Sequence, residues 1–112
     1  MTEQQAVWSI NETTSIKSYT LMNFRNIPQI QQMSEEAQFE MEVVGNVLPF
    51  KTNNYVVEQL IDWDNVPSDP MYVLTFPQKG MLISEHYDKM ASTLRSGADK
   101  KEVQRVANDI RL

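Results

Sequence analysis

The sequence predicts a small, mainly α domain of about four helices, together with an extended apolar segment and a flexible N-terminus. Three observations lead to this fold class. Apolar residues recur every three or four positions in several stretches, which is the spacing of an amphipathic helix. Capping residues and prolines separate these stretches by short connections, and the first part of the chain is poor in apolar residues. At 112 residues, the chain is long enough for one modest core.

The N-terminal region, residues 1–25, is predicted to be flexible. It is rich in Gln, Ser, Thr and Asn, and such a composition buries too little apolar surface to offset the entropy of ordering the chain. A weak apolar–polar alternation through residues 18–24 also allows an extended segment that docks on another surface. The helical domain is accordingly assigned to residues 26–112.

The first helix is predicted to begin near Pro28, a residue suited to the first helical turn. An apolar stripe at helical spacing follows, formed by Ile30, Met33, Ala37, Met41, Val44 and Leu48. Ser34 could restart the helix as an N-cap, so that two shorter helices replace one. Pro49 ends the helix in either case, because it lacks a backbone N–H and its ring clashes with the preceding turn.

A second, shorter helix is predicted over residues 55–61, with capping side chains from residues 52–54. The loop that follows, residues 62–70, is set by two prolines that move the preceding residues away from the helical region. Residues 71–76 have strand-like propensity, but Pro77 ends the run and no partner strand is evident. The run is therefore predicted to be an extended apolar segment that docks on a neighbouring surface.

Two further helices are predicted in the last thirty or so residues. Ser84 is expected to cap the first of them, and Ser96-Gly97 provides a C-terminal signal. Asp99 followed by Glu102 resembles a capping box for the second helix. Because the connection is short, the two helices are predicted to form an antiparallel hairpin.

Composition argues against several classes of partner and site. A net charge of −5 disfavours nucleic-acid binding, which needs clustered Lys and Arg at the phosphates. No apolar run approaches the roughly 20 residues that span a bilayer, so no membrane partner is expected. The absence of cysteine excludes disulfides, zinc–thiolate sites and cysteine-bound clusters. The first residues show no signal-peptide pattern, and a cytoplasmic location is expected.

Few residues are candidates for chemistry. Asp62, Asp64 and Asp69 could supply oxygen ligands to Ca²⁺ or Mg²⁺, but helix termination and Asx turns explain the same carboxylates. His86 and Ser84 have the residue types of a base and a nucleophile, whereas a solvated histidine beside a helix cap is the simpler interpretation. We therefore expect no catalytic, cofactor-binding or metal-binding residue in this chain.

Four short motifs carry a resemblance to a known family: Leu60-Ile61-Asp62, Asp69-Pro70-Met71, Thr75-Phe76-Pro77 and Gly80-Met81-Leu82. In this order and spacing they resemble the segment just before the catalytic barrel in the lysine 2,3-aminomutase family of radical S-adenosylmethionine enzymes. The resemblance covers about residues 47–112. Enzymes of this family use a [4Fe–4S] cluster, S-adenosylmethionine and pyridoxal phosphate, and the residues for those steps lie in the barrel or later. This chain has neither the cysteines nor the ~200 residues that a barrel needs, so no cofactor is expected in it.

The resemblance implies a non-catalytic N-terminal helical domain, or fragment, of such an enzyme. Its expected partner is the missing catalytic barrel of its own protein or another subunit. The expected docking interface comprises Met71, Tyr72, Leu74, Phe76 and Met81. The end of the last helix at Arg111-Leu112, without a polar tail, suggests a truncated boundary.

Two alternatives remain open. The chain could be a stand-alone helical module that binds a protein partner. A small enzyme that uses His86 with the carboxylates of residues 62–69 is the less favoured alternative.

Overall fold

The structure, a computed structural model, describes residues 16–112. The mainly α fold class is confirmed. Within these residues there are five α-helices and one small sheet, with these bounds: β1 Ser18–Thr20, α1 Pro28–Gln31, α2 Glu35–Val47, β2 Lys51–Asn53, α3 Pro70–Thr75, α4 Ser84–Arg95 and α5 Lys100–Arg111. A π-helical turn covers Val56–Leu60, close to the second predicted helix, and three short 3₁₀ turns lie at Phe24–Asn26, Trp63–Asn65 and Lys79–Met81.

The two strands tie the start of the described chain to its middle. β1 and β2 pair antiparallel, with Tyr19 opposite Thr52. The side chains of Tyr19, in β1, and Phe24, in the 3₁₀ turn that follows, are buried among apolar side chains of the helices. The pairing of β1 and the burial of these two side chains agree with the docked segment that the apolar–polar alternation of residues 18–24 allowed. Residues 1–15 lie outside the described part of the chain.

The helical stretch after Pro28 is divided in two. Ser34 has an extended backbone, and its hydroxyl accepts a hydrogen bond from the Ala37 N–H at 3.0 Å. This is the N-cap arrangement that satisfies a free donor at the start of a helix. The prediction that Ser34 could restart the helix is confirmed, and α1 and α2 are separate helices.

The segment predicted to be extended, residues 71–76, is instead largely helical. Pro70 occupies the first turn of α3, and the Asp69 carboxylate accepts a hydrogen bond from the Tyr72 N–H at 2.9 Å. An Asp cap followed by proline is a helix-start signal, and here it overrides the β propensity of the residues that follow. The extended conformation resumes only at Phe76.

The two C-terminal helices are separated by a tight turn. Gly97 has φ of 77°, and its N–H donates to the Leu94 carbonyl at 3.1 Å, as expected where a helix ends in a left-handed residue. Asp99 caps α5 by accepting from the Glu102 N–H at 2.9 Å. The predicted cap at Ser84 is wrong. Ile83 occupies the N-cap position, Ser84 is the first residue of the helix, and no side chain caps the helix start.

The buried side chains form two clusters. The first, here called the aromatic cluster, joins the strands, α1 and α3, with Tyr19, Phe24, Ile27, Ile30, Met41, Val57, Ile61, Tyr72 and Phe76 as buried members. The second, here called the hairpin cluster, joins α2 to α4 and α5, with Val43, Val44, Val47, Tyr87, Met90, Ala91, Val106 and Ala107 as buried members. Helix α2 contributes to both clusters and so connects them.

Candidate functional site

The expected docking residues fall into two groups in the structure. Tyr72 and Phe76 are buried in the aromatic cluster, at 3% and 1% exposure, and Met71 packs against that cluster while remaining half-buried. Leu74 is 82% exposed and Met81 is 44% exposed. Leu74 and Met81 are the two of these five side chains with substantial exposure. On α3, residues two apart lie about 200° apart around the helix axis, so Tyr72 faces the aromatic cluster while Leu74 faces solvent.

Other apolar side chains near Leu74 and Met81 in the sequence are also exposed. Val73 lies on α3, and Ile83 lies immediately before α4. We call Val73, Leu74, Met81 and Ile83 the exposed apolar segment; each exposes more than a third of its surface. Single exposed apolar residues are ordinary, but several within one short stretch are a common mark of a contact surface.

Aromatic packing holds α3 in place. The ring of Tyr72 lies 5.4 Å from that of Phe76 and 5.7 Å from that of Trp63, measured between centroids. The Trp63 indole N–H donates to the Val57 carbonyl at 2.8 Å. Such tilted and edge-on pairs stabilise aromatic clusters beyond their buried area, so Leu74 projects from a well-anchored helix.

Burial also alters the ionisation of Tyr72. Loss of hydration raises the pKa of the Tyr72 phenol to about 12, a hydrogen bond with Gln78 opposes this rise, and the charge of Glu40 adds to it. The phenol is therefore neutral at physiological pH. The ring of Tyr72 contributes packing to the aromatic cluster.

A small groove is lined in part by the loop that connects α3 to Met81. It has a volume of about 510 Å³, and its apolar lining includes Met33, Ala37, Pro67 and Pro77. Glu40, Gln78 and Lys79 also line it. The four side chains of the exposed apolar segment lie outside this lining, so the groove and the segment are separate surfaces.

Two of the three carboxylates that were candidate metal ligands have structural roles. Asp69 is buried and caps α3, and the Asp62 carboxylate accepts from the Asp64 N–H at 3.1 Å in an Asx-type turn. Within residues 16–112 no group of three or more His, Cys, Asp or Glu side chains is arranged to hold a metal ion. His86 lies half-buried in the first turn of α4.

A larger groove separates the two clusters, and no sequence pattern indicated it. Its volume is about 760 Å³, and its walls come from the turn after β1, the second half of α2 and the α4–α5 hairpin. These three segments are far apart in the sequence. Gly45 lies between them, where an added Cβ would meet Leu21 Cδ1 and Phe50 Cε1 at 3.1 Å each. The glycine therefore lets Leu21 and Phe50 approach the α2 backbone closely.

Charged groups stand at the edges of this larger groove. Arg25 pairs with Glu42 at 2.9 Å. Arg111 donates from Nε to the Val47 carbonyl at 2.7 Å and from a terminal nitrogen to the Asn46 carbonyl at 3.2 Å. These bonds satisfy carbonyls at the C-terminal end of α2, where a cation is favoured by the helix dipole. Lys100, at the start of α5, is exposed.

Comparisons with known proteins add no support to the sequence resemblance, because no protein-family model, curated protein or solved structure matches the chain.

Within the described residues, no helix combines the length and apolar character needed to cross a membrane.

Proposed function

We propose that this chain is the non-catalytic N-terminal helical domain of a lysine 2,3-aminomutase-like radical enzyme. In this proposal the domain packs on the catalytic barrel, in its own protein or in another subunit. The observation that carries the proposal is the exposure of Leu74, an apolar side chain on a helix anchored by the aromatic cluster, within the stretch that resembles the family.

The residues of the resemblance support a packing role. Asp69 and Pro70 start α3, and Phe76 is fully buried beneath it. Leu60 and Met81, from two other motifs, are exposed at 42% and 44%. Motif residues thus divide into those that build the local fold and those that face outward, as expected for a domain that attaches to another surface.

The chemistry would belong to the barrel. The [4Fe–4S] cluster needs cysteine thiolates, and this chain has none. S-adenosylmethionine and pyridoxal phosphate would likewise bind in the barrel, and the role of this domain would be to cover an apolar surface there. A cytoplasmic location belongs to the same proposal, because its reducing conditions keep thiolate ligands available.

The attachment surface can be tested with a barrel supplied separately. The chain is mixed with the catalytic barrel of a lysine 2,3-aminomutase-family enzyme that lacks its own N-terminal region, and binding is measured by sedimentation. We expect a complex that Leu74→Ser weakens about tenfold or more, since a buried leucine at an interface contributes about 1.5–3 kcal/mol.

Met22→Ser provides a matched control. Met22 is 85% exposed, nearly the same as Leu74, but it lies on the turn after β1. Its substitution should leave barrel binding unchanged. Equal losses in the two variants would contradict the proposed surface, and absence of any complex with the barrel would contradict the proposed function.

The reading frame distinguishes this proposal from the stand-alone module. A CxxxCxxC motif encoded downstream and in frame would supply the cluster ligands that the proposal requires. A stop codon directly after Leu112, together with failure to bind the barrel, would favour a stand-alone interaction module instead.

A further inference from the structure

We propose that the larger groove binds an acidic amphipathic helix of a partner protein, which lies along α5. This inference does not depend on the assignment to the aminomutase family. It concerns a surface distinct from the exposed apolar segment, lined by the turn after β1, the second half of α2 and the α4–α5 hairpin.

One stripe of α5 faces the groove along the whole helix. The groove-lining residues of α5 are Lys100, Val103, Gln104, Ala107, Asn108 and Arg111. They recur every three or four positions, which places them on a single face. Twelve residues of helix span about 18 Å, so the groove is elongated and suits a polypeptide segment better than a compact ligand.

The net charge of the groove lining is positive, whereas the net charge of the whole chain is negative. Its lining includes three cationic side chains, Arg25, Lys100 and Arg111, and one anionic side chain, Glu42. Glu42 is already paired with Arg25, so the local charge is positive although the chain has a net charge of −5. Lys100 and Arg111 stand at opposite ends of the α5 stripe. The Arg111 guanidinium already donates to the Asn46 and Val47 carbonyls, so it would attract a partner carboxylate through its remaining N–H groups and its charge, and Lys100 through its exposed ammonium group.

The lining between the two cations is partly apolar. On α5, half-buried Val103 and buried Ala107 alternate with exposed Gln104 and Asn108, and the turn after β1 adds Leu21 and Met22. Met22 is 85% exposed, so a helix bound in the groove would cover apolar surface of this side chain. The complementary segment therefore has apolar residues at its centre and Asp or Glu toward both ends.

The test uses two synthetic helical peptides with identical central leucines. One carries glutamates toward both ends, and the other carries lysines in the same places. Binding to the whole chain is measured by fluorescence anisotropy of the labelled peptides and by amide shifts at Met22, Gln104 and Asn108. We expect saturable binding of the glutamate peptide, weakened by salt, and at least about tenfold weaker binding of the lysine peptide.

Lys100→Glu and Lys101→Glu form a matched pair of variants. Both reverse one charge in the first turn of α5, and both residues are exposed, but only Lys100 lines the groove. Lys100→Glu should weaken binding of the glutamate peptide about tenfold, whereas Lys101→Glu should change it little. Equal effects of the two variants, equal binding of the two peptides, or no saturable binding up to about 1 mM would overturn the proposal.

A second copy of this chain could also occupy the groove, and the experiment must distinguish it from an acidic partner. Sedimentation of the chain alone, at increasing concentration, should show a monomer if the groove is reserved for an acidic partner. A dimer that Lys100→Glu dissociates and Lys101→Glu does not would overturn the proposal, because it would assign the groove to a second copy of this chain.

Discussion

Asp69 determines the conformation of the stretch that resembles the aminomutase family. Its side chain is 7% exposed and accepts the Tyr72 N–H, and the proline that follows fits the first helical turn. These two residues start a helix, and the apolar residues that follow continue it. As a result Tyr72 points into the aromatic cluster while Leu74 points to solvent.

Replacing this cap should destabilise the domain measurably. Asp69→Ala removes the acceptor of a buried N–H, and we expect the free energy of unfolding to fall by about 1–2 kcal/mol. The measurement is urea denaturation followed by circular dichroism. Asp64→Ala is the control, because Asp64 is an exposed carboxylate nearby in the sequence and its loss should change stability little. A similar loss in both variants would contradict a specific capping role.

Capping signals differed in how well they predicted helix starts. Ser34 and Asp99 both accept the backbone N–H three residues later, as their sequence context predicted. Ser84 does not cap, because the chain enters α4 one residue earlier, at Ile83. A Ser beside an apolar run is compatible with either register, and the packing of Tyr87 and Met90 in the hairpin cluster selects one.

At the level of elements, α2 is held at both ends by side chains. Ser34 caps its start, and Arg111 from α5 reaches the carbonyls of Asn46 and Val47 at its end. The helix has no basic residue of its own in the last turn. The guanidinium of Arg111 therefore supplies from a distant element both the donors and the positive charge that the end of α2 lacks.

We expect Arg111→Ala to lower the free energy of unfolding by about 1 kcal/mol, since charge-assisted hydrogen bonds to the end of α2 are lost. Chemical denaturation measures the change. Arg105→Ala is the control on the same helix, because Arg105 only pairs with exposed Glu102 and Asp109 on the surface of α5, and such pairs contribute little. If Arg105→Ala costs as much as Arg111→Ala, the bonds between α5 and α2 are not the cause.

At the scale of the whole molecule, the two clusters depend on one helix. Met41 of α2 belongs to the aromatic cluster, and Val43, Val44 and Val47 belong to the hairpin cluster. If α2 detaches from one cluster, the side chains that it contributes to the other cluster also become exposed. We therefore expect the two clusters to unfold together as one cooperative unit.

Met90→Ala tests this cooperativity. Met90 is fully buried in the hairpin cluster, and its truncation should cost about 2–5 kcal/mol. Trp63 packs on the aromatic cluster, so its fluorescence, in a Trp8→Phe background, reports on the other half of the molecule. The fluorescence transition should move to lower denaturant together with the circular dichroism transition. A fluorescence transition that stays in place would show that the two clusters unfold independently.

The sequence by itself determined the helical class and the turn at Gly97, and it offered the division of the first helical stretch at Ser34 as one of two alternatives. These features depend on interactions within a few residues, such as caps and a left-handed glycine, and a local pattern carries them. The tertiary structure decided the pairing of Tyr19 with Thr52, the burial of Tyr72 and Phe76 beside the exposed Leu74, and the groove along α5. Each of these brings together segments that are distant in the chain, and their arrangement depends on which apolar faces bury one another, which no local pattern records.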